Sequence, residues 1–250
     1  MGQLPRLAPL LLAGCASAPG SAGRVVDLTH PLDARMPLWP GGQPLELTPS
    51  AAIDRDGCYM NIFKLGEHTG THIDAPAHFV SGQITVERIA PERFVGPAVV
   101  VRVREKAAGN ADYAAARADF EAWEARHGRI PAGAIVVLDT GWAARWGDPP
   151  TYVNADARRV MHFPGYSDDA ARFLSADRGV AALGIDTFSV DPGASTTFGV
   201  HHIFLGAGGY QIENLANVDS LPEAGATLIV APLPIAGGSG SPARVLAIVP

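Results

Sequence analysis

The chain has 250 residues, of which 47% are hydrophobic and 18% charged, and its formal net charge at pH 7 is −6. This length and composition suffice for one globular domain with a sizeable core, and they exclude a low-complexity chain. The acidic balance provides no basic patch, so we do not expect nucleic acid as a partner. Beyond the first dozen residues, no apolar run is long enough to span a bilayer.

The first 22 residues differ in character from the rest of the chain. Arg6 precedes a short apolar stretch over residues 7–12, and small residues then lead to Cys15. This order is typical of a secretory signal, and Leu12-Ala13-Gly14-Cys15 resembles a bacterial lipoprotein box. We therefore expect residues 1–22 to be a signal and tether, Cys15 to carry a lipid anchor, and the protein to be exported to the periplasm or cell envelope. The alternative is a cytoplasmic enzyme with a mildly apolar start.

Residues 23–250 are predicted to form a single domain. The strands predicted in chain order cover residues 25–28, 97–105, 135–138, 180–185, 228–232 and 244–249. One helix is predicted over residues 110–127, and Ser167 caps a second helix that Gly179 closes. Because strands outnumber helices and do not alternate regularly with them, we predict an α+β fold with a barrel-like or layered mixed sheet.

The most chemically loaded stretch of the chain covers residues 68–78. It holds four groups of the type that bind metals, all at even positions: His68, His72, Asp74 and His78. An extended segment would present them on one face, because strand side chains alternate with period two. A straight strand of this length spans roughly 33 Å, so the chain must bend if the groups share an ion. Gly70 and Pro76 allow that bend, and Pro76 also counts against a helix.

Two interpretations of this stretch compete. The simpler one is a polar strand edge whose histidines bond only to backbone groups. Four groups on one face, with bend residues between them, favour a metal site instead. Imidazole and carboxylate ligands suit zinc and manganese equally, so the residue types leave the metal open.

The run His68-Thr69-Gly70-Thr71-His72-Ile73-Asp74-Ala75-Pro76-Ala77-His78 resembles the signature of the cyclase family of metal-dependent hydrolases. That family includes bacterial kynurenine formamidases and isatin hydrolases. Other matching stretches follow in the family's order at residues 27–32, 38–41, 140–142, 163–167, 184–191, 201–202, 212–215, 232–235 and 240–244. The resemblance covers roughly residues 24–249 and implies a fold of the swivelling β/β/α type.

The same resemblance implies a set of metal ligands for one or two divalent ions. The first ion is expected at His68, His72 and Asp74, and Asp74 bridges to a second ion. The second ion is expected at His201 and Glu213. The neighbouring His202 is the alternative to His201, and the sequence leaves this choice open.

The resemblance also implies two residues that act on the substrate. His78 is expected to stay off the metal and act as general acid and base. Trp39 aligns with a tryptophan that contacts substrate, although an anchor role for its loop is the alternative. Trp142 is a weaker candidate for the same kind of contact. Gly42 departs from the family pattern, which has an acidic residue there, so the polar substrate contact differs in this chain.

Six further polar residues have less specific expectations. Three of them either orient ligands from outside the metal site or cap turns: Asp186, Ser189 and Asp191. The other three are predicted to be structural histidines: His30, His127 and His162.

These expectations lead to a metal-dependent hydrolase that cleaves the C–N bond of a small aromatic or cyclic amide, like an arylformamidase. A small-molecule amide is the expected partner, and the resemblance implies a homo-oligomer. The alternatives are a lactone or ester hydrolase with the same site, or a non-catalytic lipoprotein that binds metal or a small ligand. The chain has no Gly-x-Ser-x-Gly elbow, which argues against a serine hydrolase.

Overall fold

A computed structural model describes residues 23–250. The predicted signal, tether and lipidated Cys15 lie outside these described residues. The strands are β1 (Arg24–Asp27), β2 (Glu46–Ala51), β3 (Met60–Lys64), β4 (His72–Asp74), β5 (Val95–Arg102), β6 (Ala114–Ala115), β7 (Ile135–Asp139), β8 (Gly165–Tyr166), β9 (Ala182–Ile185), β10 (Tyr210–Glu213), β11 (Thr227–Pro232) and β12 (Gly240–Val249). The helices are α1 (Ile53–Asp56), α2 (Arg104–Gly109), α3 (Arg117–His127), α4 (Pro149–Val153), α5 (Asp168–Arg172) and α6 (Gly199–Gly206).

Seven strands close into a barrel-like mixed sheet in the order β12-β11-β5-β7-β9-β10-β4, because β4 pairs with β12 as well as with β10. The pairs β5–β7, β7–β9 and β9–β10 are parallel, and the others in the ring are antiparallel. β1 pairs with the far end of the ten-residue β12. The prediction of an α+β fold with a barrel-like mixed sheet is confirmed.

Alternating side chains of the central strands divide the core into two hydrophobic clusters. On β5, Ala98 and Val100 belong to one cluster, while Val99 and Val101 belong to the other. The second cluster also takes in residues of α3, α5 and α6. The strand β7 is buried along its whole length, which explains why it is a continuous apolar run in the sequence.

The two predicted helices differ in how well the sequence placed them. The Ser167 side chain accepts a hydrogen bond from the Ala170 backbone and so caps α5 as predicted. A helix start at residue 110 is wrong, because Ala114–Ala115 forms β6 and pairs with β8. The Asp119 carboxylate then accepts from the Ala116 backbone N–H at 2.9 Å, which fixes the later start of α3.

The run that carries the candidate ligands bends at the two expected residues. Gly70 adopts a φ of +67°, a left-handed conformation that favours glycine. Only His72–Asp74 is strand, and Pro76 begins a single 3₁₀ turn that ends at His78. His72 and Asp74 therefore lie on the strand, whereas His68 precedes the strand and His78 follows it.

A separate hairpin of β2 and β3 projects from the barrel and exposes large apolar side chains, among them Leu47, Ile62 and Phe63. Among residues 23–250, none of the helices combines the length and apolar character needed to cross a membrane.

Candidate metal centre

Two antiparallel strands and one helix bring four polar side chains together inside the fold. On β4, His72 and Asp74 are two residues apart and therefore share a face. Glu213 of β10 lies directly opposite His72 in the strand register. His201 enters from the first turn of α6. All four residues are buried, with at most 5% of their surface exposed.

Both imidazoles of this group face carboxylate oxygens. Nε2 of His72 lies 3.4 Å from Asp74 Oδ1 and 3.5 Å from Glu213 Oε2. Nε2 of His201 lies 3.3 Å from Asp74 Oδ2 and 3.4 Å from Glu213 Oε1. Asp74 thus stands between the two histidines and turns one oxygen to each.

The other nitrogen of each ring is held by a group that accepts hydrogen bonds. Nδ1 of His72 lies 2.8 Å from the Gly70 carbonyl oxygen, and Nδ1 of His201 lies 2.6 Å from Asp191 Oδ2. Each ring, when neutral, therefore carries its proton on Nδ1 and presents the Nε2 lone pair to the carboxylates. Asp191 is itself oriented, because it accepts from the backbone N–H groups of Val200 and His201.

The remaining two histidines lie on the cavity side of Asp74. Nδ1 of His68 is 2.5 Å from Asp74 Oδ1. The ring of His78 stacks on that of His68 with 3.7 Å between centroids. One nitrogen of His78 also lies within 4.8 Å of the ligand atoms of His68 and Asp74, so distance alone allows His78 to be a ligand.

The structure brings together every residue predicted for the metal site: His68, His72, Asp74, His201 and Glu213. It orients His201, and not His202, toward the carboxylates, since His202 is exposed on the outer face of α6. The sequence alone left this choice open.

The electrostatics of the cluster follow from two carboxylates in a buried place. Burial raises the pKa of Glu213, and the neighbouring Asp74 charge raises it further. Burial also tends to raise the pKa of Asp74, but His68, His201 and His72 outweigh it and hold that pKa well below its usual range. Burial lowers the pKa of His201, yet Asp191, Asp74 and Glu213 outweigh it and raise that pKa well above its usual value. The cluster therefore favours the binding of a positive charge between its carboxylates.

A divalent cation fits this donor set. The oxygen Oδ2 of Asp74 is buried and accepts no hydrogen bond from the described residues. Neutral imidazole nitrogens and carboxylate oxygens are the ligands that zinc and manganese take. A bound cation would neutralise the facing carboxylates without removing the hydrogen bonds that hold the rings from outside.

An aromatic cavity of about 280 Å³ opens above the cluster. Trp39, Phe79, Phe188 and Phe198 line it together with the candidate ligands and His78. The Trp39 ring is partly exposed and makes edge contacts with Phe188 at 6.2 Å and a tilted contact with Phe198 at 6.3 Å. The cavity therefore combines a charged floor with flat apolar walls.

Trp142 contributes nothing to this cavity surface. Its ring is buried, and its indole N–H donates to the Tyr152 carbonyl at 2.9 Å. The expectation that Trp142 offers a flat face to substrate is wrong for this reason.

The less specific expectations separate into different roles. Asp191 orients His201 as described, and Ser189 accepts a hydrogen bond from the Asp191 backbone. Asp186 instead caps a turn, because its carboxylate accepts from the backbone and hydroxyl of Thr140 and from the Ala143 backbone.

The three histidines predicted to be structural lie outside the cluster. His30 stacks on Trp146 with 4.0 Å between centroids. His127 pairs with Glu223 at 2.7 Å, and His162 pairs with Asp112 at 2.9 Å. None of the three lines the aromatic cavity.

Several residues that support the site were not predicted from the sequence. The Asn214 amide donates to the Gly70 carbonyl, the same oxygen that holds His72. Ser239 contacts His68, although 171 positions separate the two residues. Phe198 brings an aromatic wall next to His201 from a left-handed backbone with a φ of +48°. Phe79 also lines the cavity, and it could have been predicted because it directly follows the motif in the sequence.

Comparisons with known proteins agree with this geometry. The family model Cyclase, described as "Putative cyclase", matches residues 26–192. Isatin hydrolase of Roseibium aggregatum is 35% identical over 82% of this chain and 81% of its own length. Kynurenine formamidase of Bordetella petrii is 27% identical over 89% of this chain and 97% of its own length. The solved structure of isatin hydrolase A from Ralstonia solanacearum superposes with a TM-score of 0.85 at 40% identity, covering 91% of this chain and 92% of that one.

The family match covers more than half of the chain, and the relatives match nearly all of the described residues. The chain therefore belongs to the cyclase family, and it is a metal-dependent hydrolase.

Proposed function

We propose that this chain hydrolyses the C–N bond of a small aromatic or cyclic amide with the help of one or two divalent cations, zinc or manganese. The observation that carries the proposal is the position of the cluster, which forms the floor of an aromatic cavity. The relatives named isatin hydrolase and kynurenine formamidase support the amide bond as the reactive group.

The two oxygens of Asp74 suggest how the cations are shared. Oδ1 faces His68 and His72, while Oδ2 faces His201. His68, His72 and Asp74 would hold one cation, and His201, Glu213 and Asp74 would hold a second. A bound divalent cation lowers the pKa of a coordinated water and polarises a carbonyl oxygen.

His78 has the position of a general acid and base. It ends the 3₁₀ turn that leaves β4, and its ring lines the cavity above the floor. Burial lowers the pKa of His78 to about 4, so the ring is neutral near pH 7. A neutral imidazole can take a proton from the attacking water and pass it to the departing nitrogen.

The cavity walls favour a planar substrate. Trp39, Phe79 and Phe198 surround the entrance, and aromatic rings hold flat ring systems by stacked and edge contacts. Gly42 lies three residues after Trp39 and has no charged side chain. We therefore expect that the substrate does not need an amine group at this place.

A substrate panel tests the proposal. Metal-loaded protein should hydrolyse N-formylaniline and isatin faster than aliphatic formamides of similar reactivity. Activity on lactones or esters alone would favour the second reaction class, which the same floor could serve. Absence of hydrolysis across amides, lactones and esters in metal-loaded protein would leave a binding protein.

We also propose that the chain forms a homo-oligomer through the β2–β3 hairpin. Phe63 and Leu47 are 58% and 57% exposed and lie opposite each other in the strand register, so they share one face, and contiguous exposed apolar surface is typical of interfaces. Light scattering after gel filtration should show an oligomer that Phe63→Glu dissociates. A monomeric wild-type protein would contradict this proposal.

Export is a proposal from the sequence of the first 22 residues. We propose that Cys15 carries a lipid and anchors the mature protein in the cell envelope, with a cytoplasmic location as the alternative. Cys15→Ala should release the protein from the membrane fraction. An uncleaved wild-type N-terminus and unchanged fractionation would place the enzyme in the cytoplasm.

A further inference from the structure

A chain of hydrogen bonds approaches His68 from the side opposite Asp74. Nε2 of His68 lies 2.9 Å from the hydroxyl oxygen of Ser239. That hydroxyl donates to Glu67 Oε2 at 2.6 Å, and the Ser239 backbone N–H donates to the same oxygen at 3.0 Å. The three residues thus form a line from a carboxylate, through a hydroxyl, to an imidazole.

The chemistry of these groups fixes the direction of each bond. A carboxylate oxygen accepts hydrogen bonds, so the single hydroxyl proton of Ser239 is used toward Glu67. The hydroxyl oxygen can then only accept from His68, which places a proton on Nε2. In the neutral ring, the lone pair of Nδ1 is then directed at Asp74 Oδ1, 2.5 Å away. A cation near both atoms would offset the repulsion between this lone pair and the carboxylate oxygen.

The closure of the barrel holds Ser239 in place. Gly240 pairs with Asp74 where β12 meets β4, and the Ala75 backbone N–H donates to the Ser239 carbonyl at 2.9 Å. The backbone of Gly240 passes so close that an added Cβ would lie 2.4 Å from Cε1 of His68. The strand pairing of Gly240 and the hydrogen bond to the Ser239 carbonyl therefore fix the Ser239 backbone beside His68.

His68 needs such support more than the other two histidines do. Its side chain is 25% exposed, whereas those of His72 and His201 are 3% and 4% exposed. Packing restrains the two buried rings, and hydrogen bonds to the Gly70 carbonyl and Asp191 fix their protons on Nδ1. Of the three rings, only His68 donates its N–H proton to a hydroxyl. A hydroxyl group can rotate and donate in the opposite direction unless an acceptor such as the Glu67 carboxylate holds its proton.

We propose that Glu67 and Ser239 are a positioning pair that keeps Nε2 of His68 protonated and its Nδ1 directed at the metal. This inference rests on the proposed metal centre. Neither residue lines the aromatic cavity, so we expect their contribution in the affinity for the metal. Changes to groups that orient metal ligands typically weaken metal binding by about 10–100-fold.

Zinc affinity measured by competition with a chromophoric chelator tests the pair. Ser239→Ala removes the hydroxyl, and Glu67→Ala removes the acceptor that fixes the direction of that hydroxyl. Both variants should bind Zn²⁺ about 10–100-fold more weakly than the wild type. Ser241→Ala is the matched control, because that hydroxyl lies two residues further along the chain, in β12, and among the described residues bonds only to the Leu233 and Pro242 backbone.

A second measurement reads the proton on His68 directly. Long-range ¹H–¹⁵N NMR of zinc-loaded wild-type protein should show His68 protonated at Nε2, and Glu67→Ala should lose this signature. Wild-type zinc affinity in both Glu67→Ala and Ser239→Ala would overturn the inference and leave the metal centre standing. Wild-type protein that binds no zinc or manganese would overturn the metal centre and the pair with it.

Discussion

The cavity has a floor, formed by the candidate metal ligands, and a mouth, formed by Trp39 and the neighbouring aromatic rings, and the two are built in different ways. The floor residues, such as His72 and Glu213, extend from paired strands and are almost completely buried. The mouth residues, such as Trp39 and Phe198, extend from segments outside the strands, and Trp39 is 37% exposed. Directed hydrogen bonds hold the floor, while edge and tilted ring contacts form the mouth. The floor is thus suited to fixed chemistry, and the mouth to the choice of substrate.

A second contrast concerns two buried carboxylates. Asp74 and Asp186 are both 1% exposed. Three histidines surround Asp74 and hold its pKa well below the usual range against the effect of burial. Asp186 accepts bonds from neutral groups only, and burial raises its pKa to about 6. The difference shows that partners, and not burial, make Asp74 suitable for a metal.

The largest expected effect belongs to the floor. Asp74→Asn removes the charge that both proposed cation positions share, so we expect loss of bound metal and of hydrolysis. Elemental analysis of the purified variant measures the first, and turnover of N-formylaniline the second. Asp112→Asn is the control, because that carboxylate pairs with His162 at the surface. Full metal content in Asp74→Asn would contradict the assignment of the floor.

His78 tests the boundary between floor and mouth. His78→Ala should retain its metal and lose roughly 10²–10⁴-fold in kcat, the usual cost of removing a general acid or base. Metal content and kcat are measured on the same preparation. Loss of metal together with activity would make His78 a ligand, which its distance to His68 and Asp74 also allows.

The contrast between the two carboxylates predicts a pH dependence of stability. Asp186 has a pKa of about 6 in the folded protein and an ordinary value of 3.8, so the folded state binds its proton more tightly. This contribution to stability is complete below about pH 4 and is lost as the pH rises through 6. Relative to Asp186→Asn, the wild type should lose about 2 kcal/mol between pH 4 and pH 7.

Denaturant unfolding of both proteins across this range measures the change for Asp186. Groups that titrate in both proteins cancel in the difference, and the altered hydrogen bond of the asparagine to the Ala143 backbone adds only a constant. A difference that does not vary with pH would show that Asp186 titrates normally in the folded protein.

The smallest effect is expected at the mouth. Trp39→Ala should weaken kcat/KM for aryl amides by about 1 kcal/mol, the scale of a lost aromatic contact, and leave small aliphatic amides nearly unchanged. Tyr59→Ala is the control, because that ring is 70% exposed on the hairpin and does not line the cavity. Equal losses for both substrate classes would make Trp39 an anchor of its loop.

The sequence predicted the floor better than the mouth. Residues 68–78 bring three histidines and Asp74 together by local bending at Gly70 and Pro76, which residue types alone suggest. His201 and Glu213 are assigned as ligands through the family resemblance, because the place of Glu213 depends on the pairing of β4 with β10 and His201 enters from α6.

Residues whose contacts depend on barrel closure gave no local signal. Ser239 meets His68 only because β12 closes onto β4, and Phe198 meets Trp39 only after both chain segments fold over the floor. The start of α3 was predicted too early because the preceding residues form β6, which pairs with the distant strand β8 in a separate sheet. Pairing between distant strands has no counterpart in local periodicity.

Removal and return of metal is the most direct test of the central claim, that the buried cluster is a metal centre for amide hydrolysis. The protein is stripped with a chelator, its fold is checked by circular dichroism, and hydrolysis of N-formylaniline and isatin is followed while Zn²⁺ or Mn²⁺ is added back. The account predicts a folded, inactive protein that regains activity at one or two equivalents of metal per chain. Undiminished hydrolysis by folded protein without metal would contradict it.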